Sequence, residues 1–491
     1  MSTGGGYEIR ATGAEARNYN FVAARGPQKT TNSAPPLRNT VWLRSAICSA
    51  PIRTDAVRIT PSLRSSGRFQ NVLVIESIGH LVKSCLGGGV VAIHESYKHC
   101  GLWTALFLNI FLGAFVGYCM HILVSSAQTM YGRLQQSKMS YPDLAEATLA
   151  AGPFKSLRRY HKCFRYCVDV TIGLDLFGSC CVYTVIMARS IMQLIEGANW
   201  IAKQDNYSIR YYIAILVVPC LLLCMITSLK YLAPFSIVAD CFIVTIAVST
   251  VVYGIQAASR PLMDVPAYKS LGGVLEYIGV CVFSMEGVGV SLPIENHMTN
   301  PHHFYLVLLG GMSVVTGIVM VIGFFGYYGF GEQARSPITL NYPWAPFPIA
   351  LKAFMVLVIY VTFALNFWVP FDLVWYYLKQ RHPENKHWFW ERVYRAIFVI
   401  VIVGIAVIFP SVSSFMGLLG SFCLSNMGFI FPAFIQLTIE WEDPGLGFMK
   451  WRMIRFLFIT IFGICLCIMG TYLNAKNMIK AVLDPDDADQ E

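Results

Sequence analysis

The sequence predicts an all-α polytopic membrane protein of about 11 transmembrane helices, ten in an inverted 5+5 repeat plus one, with helices 1 and 6 unwound. Three observations predict it. Of 491 residues, 55% are hydrophobic and only 13% charged. Eleven separate apolar runs occur along the chain, and glycine-rich interruptions fall in the first run of each half. Soluble domains carry about 25% charged residues, so this chain lacks the polar surface that several soluble domains would need. Collagen-like, coiled-coil and intrinsically disordered chains are excluded on the same grounds.

Residues 1–70 precede any apolar run and are rich in Ser, Thr, Pro and Gly. Ten Lys and Arg residues there face only Glu8, Glu15 and Asp55, which reads as a disordered basic cytosolic tail. It has no short apolar core followed by a small-residue cleavage site, so it is not a secretory signal. Its Arg richness also allows a mitochondrial presequence, but its length and scattered prolines favour a retained tail.

The transmembrane part spans 71–477. A bilayer core takes about 20 apolar residues per helix, and such runs fall near 76–97, 102–125, 166–195, 211–229, 232–257, 273–293, 304–330, 347–378, 394–410, 412–437 and 453–475. The first is polar for a membrane helix, and the ninth and tenth are divided only at Pro410-Ser411. Residues 478–491 form an acidic C-terminal tail. Of the 15 cysteines, most lie inside apolar runs, where Cys behaves as a small hydrophobe. The missing pair of CxxC motifs argues against a zinc site, so no metal and no cofactor is expected.

Lys and Arg concentrate in cytoplasmic loops. With the N-terminus cytosolic, the inner loops hold sixteen of these residues, among them Arg133, Arg158, Arg165, Arg392 and Arg455, and the outer segments eight. The C-terminus is then outside or lumenal. Asn206-Tyr207-Ser208 is a glycosylation sequon in a loop that this topology places outside, so Asn206 is a candidate glycosylation site.

Two five-helix halves plus one helix is an arrangement of carriers built from inverted repeats, whose sites lie at Gly/Pro-interrupted segments in corresponding positions. Helix 1 carries Gly87-Gly88-Gly89 and helix 6 carries Ser284-Met285-Glu286-Gly287. Each glycine costs a helix about 1 kcal/mol relative to Ala, which favours a break. Amides bared there, helped by the half-helix dipole, can hold a carboxylate. The competing explanation is close helix packing, which small residues also serve.

Glu76, His80, Lys83 and Gly87 share one helix face, which must look into the bundle or a watery path. His80 is a proton acceptor or a structural hydrogen-bonding residue; its ordinary pKa of about 6.5 suits the first role. Glu286 is a proton carrier, a partner for a substrate amine, or a cap on exposed backbone. Glu295 lies near the cytoplasmic end, as part of a gate or facing water. Asp175 sits mid-membrane and needs a partner or a proton. Asp240, Lys352 and Asp372 are weaker candidates close to helix ends.

These residues carry a resemblance. The stretch from His80 to Gly89 resembles the first helix of the proton-coupled amino acid transporters, in the amino acid/auxin permease superfamily. The segment Glu286-Gly-Val-Gly-Val-Ser-Leu-Pro-Ile-Glu295-Asn-His-Met is similar to the family's F-E-G-x-G-x-x-L-P-x-E-N-x-M. Ile338-Thr-Leu-Asn-Tyr-Pro343 and Cys119-Met-His-Ile-Leu-Val fit further family patterns. The resemblance covers about 75–477. It implies a LeuT-like fold, alternating access around helices 1 and 6, and symport of small neutral amino acids with protons, His80 matching the family histidine proposed in proton coupling. The chain departs from the pattern at Gly88 (a threonine in the family), at His94 (a proline) and at Asp175 (an uncharged residue). Cys180 matches a cysteine bridged in some members, but Gly329 stands at the partner position, so no such bridge is expected.

The leading expectation is therefore a secondary active transporter. Gly87, Gly88, Gly89, Ser284, Glu286 and Gly287 would bind substrate, with His80 and Glu286 for proton coupling. The alternative is an amino-acid sensor or transceptor with little flux, signalling through the N-terminal tail, which the departures at Gly88 and His94 would suit. No enzyme is expected: HExxH and GxSxG motifs are absent, and His302-His303 are not spaced for a metal. The lipid bilayer is the expected surrounding, with no nucleic-acid partner. Plasma membrane and lysosomal membrane are both open, and the oligomeric state is not legible.

Overall fold

The computed structural model describes residues 67–135, 138–197, 209–226, 233–441 and 450–483, together with 445 and 447. Asn206, the tail up to residue 66 and the acidic residues from 484 onward lie outside the described residues. Those described belong to one compact unit, Ser66–Glu491.

Among the described residues, every expected apolar run is helical for most of its length. The first gives α1 (Gly67–Cys85) and α2 (Ile93–Cys100), separated by a break. Then come α3 (Leu102–Leu134), α4 (Tyr141–Ala151), α5 (His161–Glu196), α6 (Ile209–Ile215), α7 (Val217–Cys224) and α8 (Ala233–Ala257). A second broken pair, α9 (Leu271–Ser284) and α10 (Val288–His297), precedes α11 (Phe304–Phe330), α12 (Pro346–Leu378) and α13 (His387–Ile408). Last are α14 (Val412–Leu419), α15 (Phe431–Glu440), α16 (Trp451–Cys465) and α17 (Thr471–Leu483), with π-type turns at Gly420–Ile430 and Leu466–Gly470. Among the described residues, 7 helices, counting joined pieces as one, are long and apolar enough to cross a membrane. The α1–α2 pair, with its polar residues, is not one of them. The last helix runs to Leu483, past the expected end of the transmembrane part at 477.

The surface agrees with a bilayer solvent. Large apolar side chains such as Phe107, Ile110, Ile215, Leu222, Val248, Leu309, Ile400 and Ile468 are exposed, an apolar extent that a water-facing monomer does not carry. One buried charge is tied to both main chain and a counter-charge. Arg395, 4% exposed, donates to the Cys224 carbonyl at 2.9 Å and to Glu391 at 2.9 Å. The loop helix α4 is started by Ser140, whose hydroxyl accepts from the Asp143 amide. It is held to the bundle by the Tyr141 hydroxyl donating to the Met427 carbonyl at 2.7 Å.

Glycine decides where helices come closest, as small residues do in membrane bundles. A Cβ on Gly279 of α9 would fall 2.7 Å from the Gly417 carbonyl oxygen of α14 and 2.6 Å from the Ser421 hydroxyl. A Cβ on Gly329 would fall 2.4 Å from the Gly254 Cα, so this glycine pair fixes α8 on α11. Cys180 is a free thiol, its Sγ 3.6 Å from the Phe363 carbonyl oxygen. Replacing Gly279 with Leu forces α9 off α14, and overpacking of this kind costs about 1–3 kcal/mol. The purified Gly279→Leu chain should melt below the wild type in a detergent thermal-shift assay, whereas Gly404→Ala, with open space around its Cα, should not.

Candidate functional site

Both expected breaks exist. Leu86 and Gly87 leave the helix after Cys85, Gly87 in an extended conformation (φ −101°, ψ −170°), and Gly88–Val91 make a single 3-10 turn before α2. In the second half α9 stops at Ser284, and Met285, Glu286 and Gly287 link it to α10. The Glu286 amide still donates to the Phe283 carbonyl at 3.3 Å. The Gly287 amide has no main-chain acceptor among the described residues.

Break and close packing turn out to be one feature. A Cβ on Gly89 would lie 2.9 Å from the Phe283 ring and 3.2 Å from the Ser284 Cα. One on Gly287 would lie 2.4 Å from the Cys85 sulfur. The two linkers therefore rest on the helix ends of the opposite half. At Gly88 a Cβ would come within 2.5 Å of the Tyr183 ring, so the threonine of the family pattern has no room here.

Residues beyond the sequence-based candidates complete the wall. Tyr183 of α5 sets its hydroxyl against the first break, where the Gly88 amide reaches it. Asn366 of α12 donates to that hydroxyl at 3.0 Å. Asn366, one polar amide in an apolar run, carried a sequence signal; Tyr183 carried none. Asp175 is 0% exposed on α5, and neither carboxylate oxygen has a hydrogen-bond donor. Its carboxyl lies within hydrogen-bonding reach of the Glu286 carboxyl, so the two acidic side chains form a pair. Lys352 is also fully buried, without a hydrogen-bond acceptor, its Nζ 5.3 Å from the centre of the Trp344 ring, a cation–π contact. Among the described residues no cluster of His, Cys, Asp and Glu could hold a metal ion.

These residues enclose a cavity of about 520 Å³ between the two breaks, α5 and α12. It shares Ser84 and Val290 with a second cavity of about 600 Å³ that runs along α1 and α10 to Asn300. His80 lines this second space rather than the first. Its side chain is 60% exposed and stands 3.9 Å from the Glu76 carboxylate. The shared polar face thus looks into a cleft, but His80 and Glu286 are not brought together. Glu295, read as a gate or a water-facing residue, is 1% exposed and accepts from Gln128 at 3.1 Å and Tyr131 at 3.3 Å.

The opposite end is closed. His94 is buried, and its Nε2 meets the Arg335 carbonyl at 2.9 Å. Ser336 donates to the Ala92 carbonyl at 3.3 Å. Arg189 reaches the carbonyls of Ser336 at 3.2 Å and Pro410 at 3.3 Å, and Gln193 donates to that of Leu340 at 3.0 Å. The turn Ile338–Asn341 is folded by Asn341, whose amide donates to the Arg335 carbonyl at 2.8 Å. The histidine in place of the family's proline is therefore a closure residue.

A family model described as transmembrane amino acid transporter protein matches residues 71–474. The chain is 34% identical over 415 residues to the proton-coupled amino acid transporter-like protein pathetic of Drosophila melanogaster, covering 83% of this chain and 85% of that one. It is 25% identical over 417 residues to the probable amino acid transporter skat-1 of Caenorhabditis elegans, covering 83% and 90%. Among solved structures, the inward facing conformation of Mhp1 is similar with a TM-score of 0.53 at 10% identity, over 84% of this chain and 91% of that one. That likeness shows the LeuT-like fold. With Cys48, which lies outside the described residues, and the exposed Cys163, Cys167, Cys241 and Cys465 replaced by Ser, Ser84→Cys should react with a polar maleimide added on the side where α1 begins. Ser336→Cys, 0% exposed, should resist the reagent from either side; equal labelling of both would contradict the one-ended cavity.

Proposed function

The chain belongs to the transmembrane amino acid transporter protein family, and from that premise we propose that it moves small neutral amino acids together with protons by alternating access. The proteins it resembles are membrane transporters, not enzymes. The observation that carries the reading is the cavity between two broken helices, continuous with a cleft at one end and cut off at the other by the hydrogen bonds of His94, Arg189 and Ser336.

The chemistry follows from the two breaks. The substrate carboxylate lies against Gly87 to Gly89, at the start of the turn leading into α2, where the aligned peptide dipoles favour an anion, and takes over the Gly87 and Gly88 amides from the Cys85 carbonyl and the Tyr183 hydroxyl. The ammonium lies against the carbonyls around Ser284 to Glu286, with the Glu286 carboxylate as counter-charge. Gly287 keeps the second linker seated on Cys85, so its contribution is position. The proton passes between Glu286 and His80, which stands in the cleft beside Glu76, through the space shared at Ser84. Binding energy goes into closing the α1 end and releasing the far-end contacts, a rearrangement between two discrete arrangements rather than a continuous deformation. The start of α1 faces the cytosol in this reading, following the Lys and Arg distribution, in a plasma or lysosomal membrane.

Gly88 and His94, the departures that favour a sensor, each have a partner in the closed architecture, Tyr183 and the Arg335 carbonyl, so the transport reading is the one kept. Amino-acid-evoked currents in a heterologous cell, scanned over substrates at acidic and neutral external pH, test it. Wild type should give larger currents at acidic pH; His80→Ala and Glu286→Gln should each flatten that dependence. Unchanged pH profiles in both variants would refute the proton assignment, and binding without accumulation would identify a sensor.

A further inference from the structure

The cavity wall holds two carboxyl groups, one more than the single ammonium of a zwitterion can face. Asp175 and Glu286 both line it, and the only cation lining it, Lys83, lies within 4.0 Å of neither carboxylate among the described ion pairs. Asn366, a side-chain amide lining the same cavity, donates to the Tyr183 hydroxyl and not to Asp175. An amino acid seated on the two breaks places its one ammonium by Ser284 to Glu286. Asp175 then has only the Glu286 carboxyl beside it, an arrangement that burial penalises unless a proton or a cation joins the pair.

The space around Asp175 is larger than a methyl side chain requires. At about 520 Å³ the cavity falls in the range of pockets that enclose drug-sized ligands. Leu176, Phe283, Leu365, Val369 and Met427 supply apolar lining beside the two carboxylates. That combination suits a side chain with an apolar stem and a charged tip, the division that lets lysine and arginine bury their methylenes while keeping the head solvated or paired.

We infer that Asp175, together with Glu286, forms a subsite for the positively charged end of a substrate side chain, so that the carrier accepts amino acids ending in an ammonium or guanidinium as well as small neutral ones. The inference rests on the transport reading above. Asp175 is a specificity residue in it, on α5 beside Glu286 of the second break.

Uptake of labelled alanine by the purified full chain in proteoliposomes, with lysine, arginine and norleucine as competitors, tests the subsite. Norleucine has a comparable stem and no charge. Lysine and arginine should compete better than norleucine. Asp175→Asn should cut that preference by roughly tenfold, the size expected when one partner of a charged hydrogen bond is removed, and Asp175→Glu should keep much of it. If alanine is taken up but lysine competes no better than norleucine, the inference falls while the transport reading stands; a proton shared by the two carboxyls is then the compensating charge. An Asp175→Asn chain that weakens alanine, norleucine and lysine alike also overturns it, because the residue is then structural. Should Asp175→Asn not fold, the wild-type comparison of lysine with norleucine decides alone. Absence of uptake for every amino acid overturns the transport reading, and the subsite with it.

Discussion

A peptide group without a hydrogen-bond partner cannot rest in hydrocarbon, and the rest of this structure depends on that constraint. Non-helical backbone at membrane depth is tolerated only where protein or a water-filled cavity surrounds it. The breaks at Leu86–Ala92 and Met285–Gly287 meet the condition by leaning on one another's helix ends and on α5. Their glycines serve the approach rather than unusual backbone angles: Gly87 has a negative φ. The space left over is the cavity. Binding site and structural weakness are therefore the same object.

The same constraint explains what closes the far end. The loop 331–345 has carbonyls that no regular helix satisfies, and three buried donors from two helices take them: His94 of α2, and Arg189 and Gln193 of α5. Charge-assisted donors such as Arg189 make stronger bonds than neutral ones, yet each contact here is one or two bonds to main chain. A set of modest, separately breakable bonds suits a gate that must open, where an apolar seal would resist water entering. The Ile338–Pro343 segment, noticed in sequence only as a family pattern, is the piece of backbone that these donors hold.

Buried charge is placed by rule elsewhere. Arg395 is neutralised by Glu391 and by a carbonyl, and it lies over the Phe371 ring; Lys352 has its aromatic face. Asp175 breaks that rule, which marks it as chemistry rather than architecture.

Hydropathy and glycine placement determined the helical segments, their order and the position of both breaks, because the solubility of main chain in lipid and the helix cost of glycine are properties of a single segment. Glu286 was legible for the same reason, a charge in an apolar run being conspicuous alone. His80 was legible as a polar face but not as a resident of the cleft outside the main cavity. Tyr183, the pairing of Asp175 with Glu286 and the partner of His94 were decided only by the tertiary structure. Each depends on which face of α5 or α2 turns toward a helix more than eighty residues away, and crossing register is set by interdigitating side chains of both partners, information that no one segment holds.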